Sequence, residues 1–484
     1  MKKKSAISDE QEVETPVEAP EFVSLEGTLN LENPEESQPE IVLPIGKEKI
    51  EFSHDPREFI RGIQQILISG TKRIGFLCGA GTSMATPMTN KDGEIMYDEQ
   101  PSDKRRITPM IPGVWKMTEL IVHNISDDKL AKAILEIKDE LADDVENPLK
   151  KDFSFMIENI ISNIDQKIRV IGKKGILCGL DKAGLIELRG QIISQIKNLV
   201  SVHSNEEIKL DTKHLVHQDF ARYIKYATRK FPIEVFTTNY DYLFEYAFEG
   251  TFLPYFDGFV GGFNPFFDPT SVENDYMIPQ WTRLWKLHGS LGWKYSEHEK
   301  RIVRSRTNTD DSIVIYPSLL KYDDSRKQPY SSYIDRLSTF IKKDDGVLFI
   351  CGYSFGDDHI NGTIMNALAQ TRSSTIIALI FDKDLNEDSN VIDIAKRSNK
   401  IMICGNKCAM IGGVFADWKL KREPPKEDFE FIDQFFDANA PEPHAKKGKG
   451  DETSLLKGEL SLVDFAKFVN FLISLSYPTT FDND

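Results

Sequence analysis

Four short polar stretches hold the residues of this chain whose types and spacing could do chemistry. Each directly follows an apolar run of strand length. Gly79-Ala80-Gly81-Thr82-Ser83 follows Ile74 to Cys78, and Thr238-Asn239-Tyr240-Asp241 follows Ile233 to Thr237. His288-Gly289-Ser290 follows Leu284 to Leu287, and Gly352-Tyr353-Ser354 follows Val347 to Cys351. His288 is the natural general base. Asn239 supplies both a donor and an acceptor, enough to orient a water or a ribose hydroxyl, and Asp241 could accept from a ligand amide. The glycines permit a sharp turn and let backbone N–H groups approach a ligand without a Cβ in the way. Ser83 and Ser354 could hold phosphates with those N–H groups, and a helix starting after Gly79 would favour an anion at its N-terminus.

Each residue also has a plain structural reading. A single histidine after a strand commonly caps or packs, and Asn and Asp after a strand are ordinary turn formers. Asp357-Asp358-His359 has the residue types of a metal site. Without further ligands it reads instead as a helix start capped by Asp357 or Asp358, and no metal is assigned.

The elements that must position these stretches alternate. Short apolar strands at 74–78, 233–237, 284–287, 313–316, 347–351, 375–381 and 400–404 are separated by helical patterns. That alternation specifies an α/β domain with a largely parallel sheet, in which ligands sit beyond the carboxyl ends of the strands. Phe59, Ile60, Ile63, Ile66 and Leu67 recur at helical spacing before the first glycine stretch. Residues 85–112 form a long polar connection, read either as a functional lid or as a disordered insertion. From about 115 to 230 the pattern is helical, with a clear stripe at Ile192, Ile193, Ile196, Leu199 and Val200. This is a helical subdomain inserted between the first and second sheet strands, its apolar stripes being core.

The flanks differ from this body. Residues 1–45 are rich in Glu and Pro and read as a disordered acidic tail. The catalytic body runs over 46–420, and 421–484 is linker followed by a helix beginning near Ser461, with Asp464 placed as in a capping box. That amphipathic helix docks either on its own domain or on another copy. A chain of 484 residues is long enough for two or three folding units. Its net charge of −16 argues against wide nucleic-acid binding, and Lys104-Arg105-Arg106 reads as a solvated loop. No apolar run reaches the roughly 18–20 residues of a membrane span, and the N-terminus lacks the apolar segment of a secretory signal. The five cysteines have no disulfide-like spacing and suit reduced, buried thiols of a cytoplasmic protein.

Taken in order, Gly-Ala-Gly-Thr-Ser, Thr-Asn-Tyr-Asp, Leu-His-Gly-Ser and Gly-Tyr-Ser resemble the sirtuin family over roughly residues 55 to 415. Sirtuins carry Gly-Ala-Gly-x-Ser, Gln-Asn-x-Asp, His-Gly and Gly-Thr-Ser. The resemblance implies a Rossmann-like fold binding NAD, with Asn239 and His288 at the catalytic positions and Asp241 where the nicotinamide amide is contacted. It implies a phosphate loop of Gly79, Ala80, Gly81, Thr82 and Ser83, with Gly352, Tyr353 and Ser354 on its far side. Thr238, another cofactor-binding position, stands where sirtuins have Gln. The paired Cys-x-x-Cys of the sirtuin zinc module is missing and the helical insertion stands in its place, so no zinc is expected. Within the family the variant looks like the sirtuin-like NAD hydrolases of bacterial antiphage defence, some of which pair with a HerA-type ATPase. That likeness implies NAD as substrate, a homo-oligomer and an activating partner, with no nucleic acid or membrane. An NAD-dependent deacylase and a non-catalytic NAD or ADP-ribose sensor are the rival readings. On the hydrolase reading, His288→Ala or Asn239→Ala abolishes NAD loss while leaving the protein folded, as checked by nicotinamide release beside circular dichroism.

Overall fold

In this computed structural model, residues 52–98, 106–143, 156–204, 215–275, 280–305, 312–314, 328–421, 434–438 and 458–476 are described. The acidic tail at 1–45, Lys104-Arg105 and most of the linker lie outside them.

A two-residue strand β1 (Ser53–His54) leads into helix α1 (Pro56–Ile68). Asp55 caps that helix, accepting from the Arg57 N–H at 2.9 Å, and Pro56 occupies the first turn, where a missing N–H costs nothing. Strand β2 (Arg73–Cys78) follows and runs into the single turn α2 (Ala80–Met84). Among the described residues five helices come next: α3 (Val114–His123), α4 (Asp128–Asp143), α5 (Ile157–Val170), α6 (Lys182–Val200) and α7 (Val216–Tyr226). They occupy the stretch expected as an insertion. Buried Ile157, Ile160, Ile161 and Ile164 on α5, and Leu185, Leu188, Ile192, Ile196 and Val200 on α6, recur every three or four residues. Such stripes hold a helix against its neighbours, since propensity alone does not.

After β3 (Glu234–Thr237) come α8 (Leu243–Gly250), the short strands β4 (Tyr255–Phe256), β5 (Phe259–Val260) and β6 (Phe266–Phe267), and α9 (Pro269–Glu273). The chain continues through β7 (Thr282–Lys286), β8 (Gly289–Ser296), β9 (Arg301–Arg304), β10 (Ser312–Val314) and α10 (Tyr330–Lys342). Next are β11 (Gly346–Cys351), α11 (Asp358–Gln370), β12 (Thr375–Leu379), α12 (Asn390–Lys396), β13 (Ile401–Cys404), β14 (Cys408–Ile411) and β15 (Val414–Trp418). Last come β16 (Phe436–Asp437), β17 (Glu459–Leu460) and α13 (Phe465–Ser476).

Among the described residues the main sheet has ten strands in the order β1-β15-β14-β13-β12-β11-β2-β3-β7-β4, parallel except where β14 pairs with β13 and β15. This is a mixed α/β fold of Rossmann-like character, as the alternation of strands and helices requires. From β2 the chain builds outward through β3 and β7. It then returns to place β11 on the other side of β2. The connections from β2 and β11 therefore diverge, leaving a crevice at the carboxyl ends of these two strands. Side chains alternate across the sheet: Phe76 and Phe349 enter one core with α1, α7 and α13, while Leu77, Phe236 and Trp285 enter the other with α10 and α11.

Three expectations need correction. The strand expected at 313–316 does not join the main sheet; β10 pairs with β8 in a separate antiparallel sheet ordered β10-β8-β9-β6-β5. Its apolar residues carry no signal of which sheet they will enter. The connection at 85–112 has structure of its own: antiparallel bridges join Pro87 to Pro109 and Tyr97 to Ile107, with the Met88 N–H on the Thr108 carbonyl at 2.8 Å. Asp464 is itself the helix cap, accepting from the Lys467 N–H at 3.0 Å, and Ser461–Val463 is a 3-10 turn. Of the two docking possibilities for α13, the intramolecular one is observed: Phe468 lies 5.7 Å from Phe349, centroid to centroid.

One buried group in this core titrates. His217 on α7 is fully buried, 4.6 Å from the Phe244 ring, with Nδ1 3.4 Å from the Thr86 hydroxyl. Burial, opposed in part by the Asp241 charge, pulls its pKa down to about 4. The unfolded chain therefore takes up this proton first as pH falls below about 6.5. Stability drops between about pH 6.5 and pH 4, by on the order of 3 kcal/mol from this group. Urea midpoints measured from pH 7 to 4.5 should fall with acidification, and His217→Gln should flatten that slope.

Candidate functional site

Cys78, at the end of β2, lies beside Thr237 of β3 and Cys351 of β11, and Thr237 lies beside Lys286 of β7. The four polar stretches therefore leave the sheet side by side, at one edge.

The first and fourth are pressed together. The Gly79 N–H donates to the Cys351 carbonyl at 3.0 Å and the Gly81 N–H to the Gly352 carbonyl at 2.9 Å. A Cβ on Gly79 would stand 2.5 Å from the Gly352 carbonyl oxygen, and one on Gly81 would stand 2.7 Å from the Gly352 Cα. Gly352 itself has φ of +62°, where side chains are strained. These glycines serve the contact between two loops, and the N–H groups of Gly79 and Gly81 are already engaged there.

Asn239 locks the second stretch onto the first. The two N–H groups of its Nδ2 are shared among the Gly79 carbonyl at 3.0 Å, the Ser83 hydroxyl at 2.7 Å and the Thr82 hydroxyl at 3.2 Å. A carbonyl cannot donate, so the bond to Gly79 fixes which end of the amide is nitrogen and leaves Oδ1 as the acceptor for a ligand. The Ser83 hydroxyl in turn donates to Asp241 Oδ2 at 2.7 Å, while Asp241 Oδ1 accepts from the Leu243 N–H at 3.0 Å. Thr82 is fully buried and donates to the Gly79 carbonyl at 2.8 Å. Beneath this network Lys286, itself buried, donates to the Asp241 carbonyl, to Glu245 at 2.7 Å and to Ser290 at 3.0 Å. Burial pushes the Glu245 carboxyl up, against the pull of Lys286.

His288 stands where the chain passes from the main sheet into the small one. Gly289 turns that corner with φ of +88°. His288 Nε2 is 3.0 Å from Asp357 Oδ2. Asp357 uses its other oxygen to cap α11, accepting from the His359 and Ile360 N–H groups at 3.0 and 3.1 Å. A neutral His288 that gives Nε2–H to the carboxylate has Nδ1 left as its acceptor. Tyr353 holds this loop from behind: its hydroxyl reaches Asn361 Oδ1 at 3.1 Å.

A cavity of about 290 Å³ opens over these groups, near the low end of small-molecule sites. Of the residues expected at the site, Ala80, Gly81, Ser83, Thr238, Asn239, Asp241, His288, Gly352, Tyr353 and Ser354 line it. Gly79 and Thr82 lie behind the wall and support it. The facing wall comes from the insertion: Val114 and Met117 of α3, Ile157 and Glu158 of α5, and Ile196 and Val200 of α6. One wall is polar and locked; the other is mostly apolar.

Residues 233–402 match the model of the SIR2-like domain. This match supports a Sir2-type family, which uses NAD, and suggests an NAD-dependent enzyme. The matched segment contains Asn239, Asp241, His288 and the 352–354 loop; the first glycine loop and the helical insertion lie outside it. A search of curated proteins gave no match. Among the described residues, no group of three or more His, Cys, Asp or Glu could hold a metal ion, and no helix is long and apolar enough to cross a membrane.

Two residues of the cavity escape a reading of the sequence. Asp357 is legible as a helix cap, but its partner His288 is 69 residues away and nothing in the spacing joins them. Glu158 sits in a helix whose buried stripe reads as core. Asp357→Asn keeps an oxygen for the cap while removing the charge that sets the imidazole tautomer. Turnover should fall by about 10²-fold or more with a thermal midpoint within a few degrees of wild type. An unchanged rate would remove Asp357 from the chemistry.

Proposed function

We propose that this protein is an NAD glycohydrolase, cleaving the nicotinamide–ribose bond to give nicotinamide and ADP-ribose. The observation that carries the reading is the juxtaposition, in one cavity, of the Asn239 carbonyl and the Asp357-oriented His288 beside the paired glycine loops. The match to a SIR2-like domain supports NAD as the substrate.

In this mechanism the bond from C1′ of the ribose to the pyridinium nitrogen breaks. Nicotinamide leaves with the electron pair as a neutral molecule, and C1′ takes on oxocarbenium character. Asn239 Oδ1 accepts a hydrogen bond from a ribose hydroxyl or from the attacking water. The water oxygen bonds to C1′ and its proton passes to His288 Nδ1, balancing NAD⁺ and water against nicotinamide, ADP-ribose and H⁺. Asp241 contacts the nicotinamide amide, and the exposed Ser354 hydroxyl lies toward the diphosphate. The groups on the polar wall are held by hydrogen bonds before substrate arrives. Little reorganisation is then needed as charge develops, which is where preorganised dipoles act most strongly. The mostly apolar facing wall offers water few hydrogen-bonding partners.

Unregulated, such an enzyme would exhaust the host's NAD. By the resemblance already given, the proposal extends to a cytoplasmic antiphage role in which NAD is depleted on infection. Activity is then gated by assembly into a homo-oligomer or by an activator such as a HerA-type ATPase. The covering position of the insertion over the cavity supports a gate at that wall. Purified chain, alone and with its genomic neighbour, should release nicotinamide and ADP-ribose in equal amounts by chromatography. NAD binding without turnover under both conditions would favour a sensor, and release dependent on an acylated peptide would favour a deacylase.

A further inference from the structure

We infer that Glu158, carried by the helical insertion, is a substrate-contacting residue that recognises the positive charge of the nicotinamide–ribose end. This rests on the NAD reading and names a residue for it that neither the motifs nor the matched domain include.

The charge of the cavity comes first. Three carboxylates line it, Glu158, Asp241 and Asp357, and no lysine or arginine does among the described residues. A site lined this way repels a diphosphate from its interior and suits a cation. NAD offers both: an anionic diphosphate and a cationic pyridinium, whose charge moves onto the ribose as the bond breaks. The cationic end therefore belongs inside, and the diphosphate toward exposed Ser354.

The three carboxylates are not equivalent. Asp241 accepts from Ser83 and from the Leu243 N–H. Asp357 accepts from His288 and caps α11. Each already accepts from protein groups on both of its oxygens, whatever else it contacts. Among the described residues the Glu158 carboxylate has no such partner; only its backbone carbonyl is engaged, accepting from the Ser162 hydroxyl at 2.8 Å. It stands on a wall otherwise made of Val114, Met117, Ile157, Ile196 and Val200. A carboxylate there gains from a cation placed against it. It lies in the first turn of α5, where the helix dipole accommodates an acidic side chain. The side chain is also half-buried, unlike its neighbours Ile157, Ile160 and Ile161, so replacing it leaves the packed face of α5 intact.

The inference gives the insertion a part in the chemistry beyond covering it. Movement of α5 would withdraw this charge from the reacting centre while the polar wall stayed whole.

The test separates charge recognition from folding. Affinities for NAD, for NADH, whose ring is neutral, and for ADP-ribose, which lacks the ring, are measured by calorimetry in a His288→Ala background, where NAD survives. NAD should bind about tenfold more tightly than NADH, and Glu158→Gln should bring that ratio to about one while ADP-ribose changes by less than about twofold. In the catalytically intact chain the same substitution should lower nicotinamide release by about 10- to 100-fold. An unchanged NAD-to-NADH ratio together with unchanged turnover would overturn the role of Glu158 and leave the hydrolase reading standing. Failure of the chain to bind NAD or ADP-ribose at all would remove the hydrolase reading, and this inference with it.

Discussion

The site depends on the closeness of two loops. The backbone after β2 and the backbone after β11 approach until no Cβ fits at Gly79, Gly81 or Gly352, where such an atom would come as near as 2.5 Å to its neighbours. Parallel pairing of β2 with β11, in register from Arg73 and Gly346 to Cys78 and Cys351, delivers the loops to the same height. The contact turns the Gly79 carbonyl toward β3, where it becomes an acceptor for Asn239. From that bond the order spreads: Asn239 to Ser83, Ser83 to Asp241, and the Asp241 carbonyl to Lys286. A side chain on any of the three glycines would part the loops and draw the Gly79 carbonyl away from the Asn239 amide, which would then be held by the Ser83 and Thr82 hydroxyls alone. Losing one such hydrogen bond costs on the order of 1 kcal/mol even before any loss of function.

Lys286 shows how a charge can be buried for position alone. It is almost wholly enclosed, yet each of its three donors has an acceptor, on Asp241, Glu245 and Ser290. Removing one partner of such a pair leaves an uncompensated charge, which is why the arrangement resists piecemeal change. A comparable pair lies at the other end of β3, where Arg336 holds Glu234 with two bonds at 2.7 and 2.6 Å. Glu234 also accepts from the Trp285 indole at 2.8 Å. The strand leading to Asn239 is thus pinned at both ends by buried ions, and its loop inherits that rigidity.

How much of this was legible in the sequence follows from where each constraint acts. Strands β2, β3, β7 and β11 and their polar exits were readable because both signals are local: a run of apolar residues, then a break of Gly, Ser, Asn or His. The helical insertion was readable for the same reason, through its isoleucine and leucine stripes. The small antiparallel sheet was not, since β5 and β6 have two residues each and β10 three, too few for any period to show. The purpose of the glycines is ambiguous in the sequence because a phosphate loop and a loop-to-loop contact demand the same thing of it, a missing Cβ. The His288–Asp357 pair was invisible because it is made by sheet order: β7 and β11 stand on opposite sides of the β3–β2 pair, and only that order folds their exits toward a common edge.

The two walls of the cavity obey different physics. On the sheet side Asn239, Asp241 and His288 are each fixed by hydrogen bonds to groups that are themselves fixed, and such a wall changes only if the sheet edge does. On the insertion side Met117, Ile157, Ile196 and Val200 are held by packing, which is non-directional and tolerates sliding of one helix over another. Met84 and Val114 join this wall to a second, more open groove that also takes in Met88, Met96 and Trp115. Methionine side chains adapt their shape at little cost. A displacement on that surface would therefore reach the cavity through Met84 and the α3 end before it reached the polar wall. The division puts the geometry that chemistry needs where the fold is stiff, and the contacts that could admit or exclude a ligand where it is compliant.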